Sequence, residues 1–212
     1  MVNKTHIDLR NDRSIIERMN IGRPRQFNTD KAIAQATQQF WRGGYTATSL
    51  HDLLHCMSLS KSSLYQSFGN KETLFISCID NYQASFNKEL SELLKSSTSG
   101  LNFIEQLLES VIQEVNSSER KGCLLVNTAN ELGAKDPIIS AAIERGFNSV
   151  RMAIKKALDK AVIEGDLPRN ADLDDLSAYL VVGISGLRTM VKAGADYNKL
   201  HRVTQILLNS LK

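Results

Sequence analysis

The chain has 212 residues and a mass of 23.6 kDa, and 42% of its residues are hydrophobic while 23% are charged. These proportions are ordinary for a folded globular protein and exclude extensive disorder. With only 3 prolines, a helical fold is favoured over a turn-rich sandwich or barrel. No stretch approaches the ~18 apolar residues of a membrane span, and residues 1–21 lack the apolar region of a signal peptide. We therefore expect a cytoplasmic protein with no membrane partner.

The excess positive charge lies in the first third of the chain. The formal net charge is only +3, but residues 1–75 carry 10 Lys and Arg against 6 Asp and Glu. The remaining residues carry 16 basic and 17 acidic side chains. An anionic partner is therefore expected for the first third and not for the rest.

Apolar periodicity and capping residues predict an all-α fold of about nine helices. Residues 1–21 are polar and are predicted to form a flexible arm or a short frayed helix, and Met19 is a candidate for the true translation start. Beyond them, apolar residues recur at helical spacing between capping residues, and no strand-like alternation or internal repeat is found. The predicted helices span about 30–43, 50–56, 61–68, 71–95, 101–115, 122–132, 137–164, 172–193 and 196–211.

Two short helices joined by a tight turn at residues 57–60 have the arrangement of a helix-turn-helix. In the second of them, Leu64 and Phe68 are four residues apart and are expected to face the core. The hydrogen-bonding side chains of this helix then point outward, towards phosphates or base edges. They are Ser62, Ser63, Tyr65 and Gln66. The alternative is that both are ordinary helices of an all-α core, with no role in DNA binding.

Two further features favour DNA binding. Helix N-termini at Thr48 or Ser49 and at Asn70–Lys71 offer free backbone N–H groups to phosphates. A compact basic arm, Gly22-Arg23-Pro24-Arg25, precedes the first helix, and arginines in such arms enter the minor groove.

These motifs carry a family resemblance. Residues 22–82 contain Gly-Arg-Pro-Arg-Gln-Phe, then Phe-Trp-Arg-Gly-Gly-Tyr-Thr-Ala-Thr-Ser-Leu, then Ser-Leu-Tyr-Gln-Ser-Phe-Gly-Asn-Lys-Glu-Thr-Leu-Phe. This stretch resembles the TetR/AcrR family of bacterial transcriptional repressors. The resemblance implies an all-α homodimer with a DNA-binding domain at residues 22–72 and an effector-binding and dimerisation domain at residues 73–212. It also implies a palindromic double-stranded operator and a small-molecule inducer as partners.

The resemblance assigns roles to individual positions. Gly44 and Tyr45 match the turn after the first helix, where the tyrosine is chiefly structural. Ser58 stands where the family usually has glycine, and a left-handed serine there costs roughly 1 kcal/mol relative to glycine. The turn is expected to survive this cost, with operator affinity modestly lower. The predicted DNA-binding residues are Arg23, Arg25, Thr48, Ser49, Lys61, Ser62, Ser63, Tyr65, Gln66 and Lys71.

Motifs for catalysis or metal binding are weak. His51 and His55 have the i, i+4 spacing of zinc ligands, but Asp52 is shorter than the glutamate of a zincin and no third ligand is evident. Gly183-Ile184-Ser185-Gly186 lacks the final glycine and the preceding strand of a nucleophile elbow. We therefore predict neither an enzyme nor a bound metal or cofactor.

The three cysteines, at positions 56, 78 and 123, show no pattern typical of a disulfide framework or a zinc site. Cys56 and Cys78 have apolar helical neighbours and are interpreted as core residues. Cys123 lies at a predicted helix N-terminus, a position that activates thiols. Two readings of Cys123 stay open: an inert packed residue, or the switch of a redox- or electrophile-sensing repressor.

An apolar stripe along the helix at 172–193 predicts a homodimer interface. Pairing this helix and the last one across a two-fold axis would form a four-helix interface. The alternative is that the stripe packs only within its own subunit. The predicted interface residues are Leu176, Leu180, Ile184, Leu187, Val191, Val203 and Leu207.

An effector pocket is expected among the helices from about residue 82 to residue 187. Its ligand would shift the fourth helix and so change the separation of the two recognition helices. A protein-interaction adaptor with a vestigial helix-turn-helix is the remaining alternative to a regulator. The pocket candidates are Phe86, Phe103, Leu107, Asn127, Phe147 and Met152.

Overall fold

The computed structural model describes residues 27–211, and this part of the chain consists of nine α-helices with short 3-10 turns at Glu114–Asn116 and Gly133–Lys135. The predicted all-α fold is therefore confirmed over the described residues. The helices are α1 (Thr29–Gly43), α2 (Leu50–Met57), α3 (Lys61–Phe68), α4 (Lys71–Ser96), α5 (Gly100–Gln113), α6 (Leu124–Leu132), α7 (Pro137–Glu164), α8 (Leu173–Lys192) and α9 (Tyr197–Asn209).

Short polar side chains begin most of these helices. Asn28, Ser49, Ser60 and Asn70 each accept a hydrogen bond from a backbone N–H in the first turn of α1 to α4. Such caps satisfy N–H groups that have no partner inside the helix. Asp136 caps α7 in the same way, and Pro137 follows it at the first helical position, where a missing N–H costs nothing.

Two apolar cores share the long helix α4. The first core joins α1, α2, α3 and the start of α4 to α6 and the start of α7. The second core joins the end of α4 to α5, α7, α8 and α9. Because α4 has 26 residues, it is about 39 Å long and connects both cores as one rigid element.

A close helix contact fixes the start of α5. The backbone of Gly100 lies so near α7 that an added Cβ would stand 2.1 Å from the carbonyl oxygen of Ala157. The N–H of Gly100 donates to the Glu164 carboxylate at 2.7 Å. Only glycine fits this position, so α5 is held tightly against α7.

None of the helices within residues 27–211 has the length and apolar character needed to cross a membrane.

Candidate functional site

Helices α2 and α3 are joined by a tight turn whose conformation depends on Ser58. Ser58 adopts φ 54° and ψ 40°, and it is the one non-glycine residue with positive φ in the described part of the chain. Its N–H donates to the carbonyl of His55 at 3.2 Å. The left-handed geometry expected at this position is therefore present with serine in place of glycine.

Helix α3 presents a polar outer surface over a buried anchor. Leu64 is fully buried, and Phe68 is half-buried with its ring 6.2 Å from that of Phe27. Both face inward as predicted. The predicted contact residues Lys61, Ser62, Tyr65 and Gln66 are exposed, whereas Ser63 is half-buried.

The serines at the start of α3 hydrogen-bond to one another. The Ser60 hydroxyl caps the helix and lies 3.0 Å from the Ser62 hydroxyl and 2.8 Å from that of Ser63. A hydroxyl can donate one bond and accept two. The Ser60 hydroxyl is therefore fully used, whereas those of Ser62 and Ser63 keep hydrogen-bonding capacity for a phosphate. The DNA roles of Ser62 and Ser63 stay predictions.

Ser49 is exposed at the N-terminus of α2 and forms a capping box with Asp52. The Ser49 hydroxyl accepts from the Asp52 N–H at 3.1 Å, while the Ser49 N–H donates to the Asp52 carboxylate at 2.8 Å. Hydrogen bonds from the Ser49 side chain and backbone lower the pKa of the Asp52 carboxyl. A negative charge therefore lies beside the predicted phosphate contact of Ser49, which stays a prediction.

The predicted DNA contact of the Thr48 side chain is wrong. Thr48 is 1% exposed, and its hydroxyl donates to the carbonyl of Gly44 at 2.6 Å. This bond closes the turn between α1 and α2. The hydroxyl is thus committed inside the protein, and its role is structural.

Lys71, at the start of α4, is half-buried against Tyr45. Its ammonium lies 4.4 Å from the centre of the Tyr45 ring, and burial lowers the pKa of Lys71. Tyr45 also packs on Phe75, with ring centroids 4.8 Å apart, in agreement with the structural role assigned to it. Arg23 and Arg25 lie outside the described residues.

Helix α6 holds the turn between α1 and α2. The Glu131 carboxylate accepts the N–H groups of Tyr45 at 2.9 Å and Thr46 at 2.5 Å. Although burial opposes ionisation, these hydrogen bonds hold the pKa of Glu131 below its ordinary value. Gly44 has φ 80°, and an added Cβ would lie 2.8 Å from the same carboxylate, so the close approach requires glycine.

A second connection joins the C-terminal half of α1 to the segment before α6. The Trp41 indole N–H donates to the Gly122 carbonyl at 3.1 Å, and the Lys121 ammonium lies 4.6 Å from the Trp41 ring centre. Arg42 pairs with Glu119 at 2.9 Å. Helix α1 is therefore attached to the larger part of the protein by its side chains as well as through α4.

A cavity in two parts adjoins this connection, with Tyr82, Phe86 and Arg188 on the walls of both. The smaller part, called the inner part, is about 30 Å³, while the outer part is about 250 Å³ and lies beside α1. The inner part is lined by Tyr82, Phe86, Cys123, Leu125, Phe147, Val150, Val181, Ile184, Ser185 and Arg188.

The structure brings two of the six predicted pocket residues, Phe86 and Phe147, to this cavity. Phe103 and Leu107 are buried in the second core and line none of the described cavities, so their assignment is corrected to core. Asn127 lies in a separate groove beside α1, where its amide donates to the carbonyl of Lys121. Met152 is 48% exposed on α7. Helical periodicity does not distinguish a cavity wall from solid core or from the outer surface.

Sequence reasoning missed Arg188, the one charged residue among the described lining of the inner cavity. It is 7% exposed and pairs with Glu114, 74 positions earlier, at 2.6 Å. The only local signal that Arg188 is buried is its place directly after Leu187 on a helix rich in apolar residues. Its partner is too distant in sequence to be inferred.

The cysteines differ in their surroundings. Burial raises the pKa of Cys78 to about 12 and also raises that of Cys56, which keeps both thiols protonated and unreactive. Cys123 is half-buried on the cavity wall, and its sulfur accepts a weak hydrogen bond from the Tyr82 hydroxyl at 3.7 Å. It immediately precedes α6 as the N-cap.

The assignment of most predicted stripe residues to a dimer interface is wrong. Leu180, Ile184, Leu187, Val191 and Leu207 are at most 7% exposed and belong to the core of their own chain. Half-buried Leu176 also packs against that core. Of the predicted set, Val203 alone is exposed, at 40%. The stripe packs within its own subunit because α5 and α7 already cover it.

Residues 27–211 contain no cluster of three or more His, Cys, Asp or Glu side chains suited to a metal ion. His51 and His55 are both exposed on α2.

Known protein families match both parts of the chain. Residues 32–78 match the family described as bacterial regulatory proteins, tetR family, and residues 100–207 match the tetracyclin repressor-like C-terminal domain. The second match alone spans half of the chain.

Individual proteins agree with this assignment. An uncharacterized HTH-type transcriptional regulator of Bacillus subtilis, YezE, is 28% identical over 90% of this chain and 100% of its own. The HTH-type transcriptional repressor ComR of Escherichia coli is 27% identical over 86% of this chain and 88% of its own. A cysteine mutant of the TetR family regulator CifR, solved with 26-base-pair operator DNA, superposes with a TM-score of 0.81 at 25% identity, covering 90% of this chain and all of that one. The chain therefore belongs to the TetR family of DNA-binding transcriptional regulators, which are not enzymes.

Proposed function

We propose that this protein is a dimeric transcriptional repressor that releases a palindromic operator when a small molecule binds it. The observation that carries the proposal is the cavity beside α1, with Tyr82 and Phe86 of α4 on its walls. The same helix begins next to the exposed polar surface of α3. One rigid element therefore connects the space for a ligand to the surface for DNA.

Release follows from the position of α4. A ligand that favours a shifted α4 also shifts α2 and α3, and the two recognition helices of the dimer then no longer match successive major grooves. A hundredfold loss of operator affinity requires about 2.7 kcal/mol of coupling between ligand and DNA, which is normal for allosteric proteins.

The proposed dimer face is the outer side of α8 and α9, and not the predicted stripe. Tyr179, Val182 and Met190 on α8 are 41%, 71% and 41% exposed, and Ile206 on α9 is 65% exposed. Val203 continues the same apolar surface. An added Cβ on Gly186 of α8 would meet nothing within 4 Å, which leaves room for the close approach of a partner helix.

The dimer is tested by Val182→Asp, which places a charge in the centre of the proposed face. We expect this variant to sediment as a monomer, because a charge buried without a partner destabilises the interface by several kcal/mol. Ile163→Asp is the matched control, since Ile163 is 86% exposed at the end of α7. A dimeric Val182→Asp protein would contradict this assignment of the face.

Operator binding is tested by titrating the protein against the DNA upstream of its own gene and against random DNA, at several salt concentrations. Lys71→Ala is expected to weaken binding to both DNAs and to reduce the salt slope by about one unit per site. Gln66→Ala is expected to weaken binding to the operator more than binding to random DNA. Equal affinity of the native protein for both DNAs would refute the repressor function.

A second candidate switch is modification of Cys123. Its thiol lines the inner cavity and accepts a hydrogen bond from the Tyr82 hydroxyl. A reagent bound in this cavity would therefore contact the sulfur directly. Operator release by oxidants is compared between the native protein and Cys123→Ser. Unchanged release in the variant would eliminate this switch.

A further inference from the structure

Arg188 is buried at the junction of the two parts of the cavity with most of its hydrogen-bonding capacity unused. Its side chain makes one hydrogen bond among the described residues, to Glu114 at 2.6 Å. A guanidinium has five N–H donors. Because Arg188 lines both parts of the cavity, its remaining donors are available to a ligand.

The inner cavity offers one charge in a largely apolar space. Arg188 is the one ionised side chain among its described lining residues, and the walls opposite are formed by Phe147, Val150 and Ile184. Tyr82, Ser185 and Cys123 add neutral polar groups. A planar oxyanion matches the fork of N–H donors on arginine and is bound in bidentate fashion.

Volume limits the size of the ligand. The inner cavity of about 30 Å³ has space for about two or three groups of the size of a water molecule or methylene. A ligand whose oxyanion contacts Arg188 can therefore place only a short apolar tail in the inner cavity.

Two aromatic rings of the cavity already face cations of the protein itself. The Arg188 guanidinium already lies 5.3 Å from the centre of the Phe86 ring, and the Lys121 ammonium lies 4.6 Å from that of Trp41. A bound cation would have to displace these protein cations from the same rings.

Glu114 would compete with an anionic ligand for Arg188. Its side chain is 32% exposed, against 9% for that of Arg188, so Glu114 can turn towards water while Arg188 cannot. The exposed Glu89 adds a negative charge at the mouth of the outer cavity. An incoming anion must replace Glu114 on Arg188, which makes binding dependent on this one carboxylate.

We propose that the effector is a short-chain carboxylic acid, bound as the carboxylate to Arg188 with its tail in the inner cavity. This proposal rests on the proposed function, since it names the class of inducer. Displacement of Glu114 from Arg188 disturbs the 3-10 turn at Glu114–Asn116, close to the segment that contacts α1 through Glu119 and Lys121.

The first test is calorimetric titration of the full-length protein without DNA. Butyrate is the probe, butyramide is its neutral isostere, and octanoate carries a tail too long for the inner cavity. We expect butyrate to bind at least about tenfold more tightly than butyramide, since tenfold corresponds to 1.4 kcal/mol and charge-assisted bonds exceed neutral ones by about that amount. Octanoate is expected to bind more weakly than butyrate, because its tail does not fit the inner cavity. Equal binding of butyrate and butyramide, or no binding of butyrate, would overturn the proposal.

The second test uses two variants with opposite expected effects. Arg188→Gln is expected to weaken butyrate binding at least about thirtyfold, because it removes one partner of a buried charge pair. Glu114→Gln is expected to strengthen butyrate binding, because the competing carboxylate is gone. A merely structural ion pair would make both variants weaker binders, and that result would also overturn the proposal.

Controls separate folding and DNA binding from ligand binding. Arg151→Gln removes another arginine paired with a carboxylate, Asp174 at 3.3 Å, and is expected to bind butyrate like the native protein. Thermal unfolding and operator affinity are recorded for every variant. If the native protein binds the operator but not butyrate, only the proposal of a carboxylic acid effector is refuted. If it does not bind the operator, the proposed function itself is refuted.

Discussion

Replacing Ser58 by glycine is expected to stabilise the protein. Ser58 has φ 54° and ψ 40°, and a left-handed residue with a Cβ costs roughly 1–2 kcal/mol. Glycine avoids this cost but loses roughly 0.5–1 kcal/mol more conformational entropy on folding. The side chain of Ser58 is exposed and makes no hydrogen bond within the described residues, so nothing else is lost. The net gain is about 1 kcal/mol, which raises Tm by about 2–4 °C in a protein of this size.

Two controls isolate the backbone effect in thermal unfolding at fixed protein concentration. Ser58→Ala keeps the Cβ and is expected to leave Tm nearly unchanged. Ser91→Gly makes the same chemical change at an exposed position inside α4, where glycine lowers helix stability by about 0.5 kcal/mol. If Ser58→Gly lowers Tm as Ser91→Gly does, the assignment of a strained left-handed turn is refuted.

Further predictions concern residues that the structure reassigns or adds. Thr48→Val removes the hydroxyl bonded to Gly44 and is expected to cost about 1 kcal/mol of stability. The salt slope of operator binding is expected to stay unchanged. A reduced slope would show that Thr48 contacts a phosphate after all. Glu131→Gln is expected to lower stability at neutral pH, because the depressed pKa of Glu131 stabilises the folded state only where the carboxyl is ionised. This difference is present above its ordinary pKa of 4.5 and disappears as pH falls below the folded value; a difference that persists in acid, measured by urea unfolding, would contradict the linkage.

Helix positions were predictable because their signals are local. The polar residues that cap α1 to α4 lie within three residues of the backbone N–H groups they satisfy, so a short window of sequence contains both partners. The helix-turn-helix was predictable for the same reason, since its two helices and the turn at Ser58 are contiguous. The 3-10 turn at Glu114–Asn116 was missed because it continues the period of α5.

Faces and cavities were not predictable because they depend on distant partners. Periodicity on α8 identifies an apolar side, but only the packing of α5 and α7 decides that Leu180 is core while Val182 is free. The proposed role of Arg188 depends on its ion pair with Glu114 and on the cavity beside Tyr82. No local sequence pattern predicts either of these features.

Trp41 connects the proposed effector site to the DNA-binding part by two contacts. Its indole N–H donates to the Gly122 carbonyl, next to Cys123 of the cavity wall, and its ring meets that of Tyr82 edge-on with centroids 4.9 Å apart. Trp41→Phe keeps an aromatic ring but removes the hydrogen bond. We therefore expect this variant to weaken the coupling between ligand and operator.

Coupling is measured as the ratio of butyrate affinities with and without bound operator, and by linkage the operator affinities change by the same factor. This ratio separates coupling from any direct effect of Trp41 on the outer cavity, because a direct effect changes both affinities equally. The loss of one hydrogen bond of about 1 kcal/mol reduces the ratio about fivefold. An unchanged ratio would mean that the Gly122 contact only stabilises the fold, and that α4 alone transmits the signal.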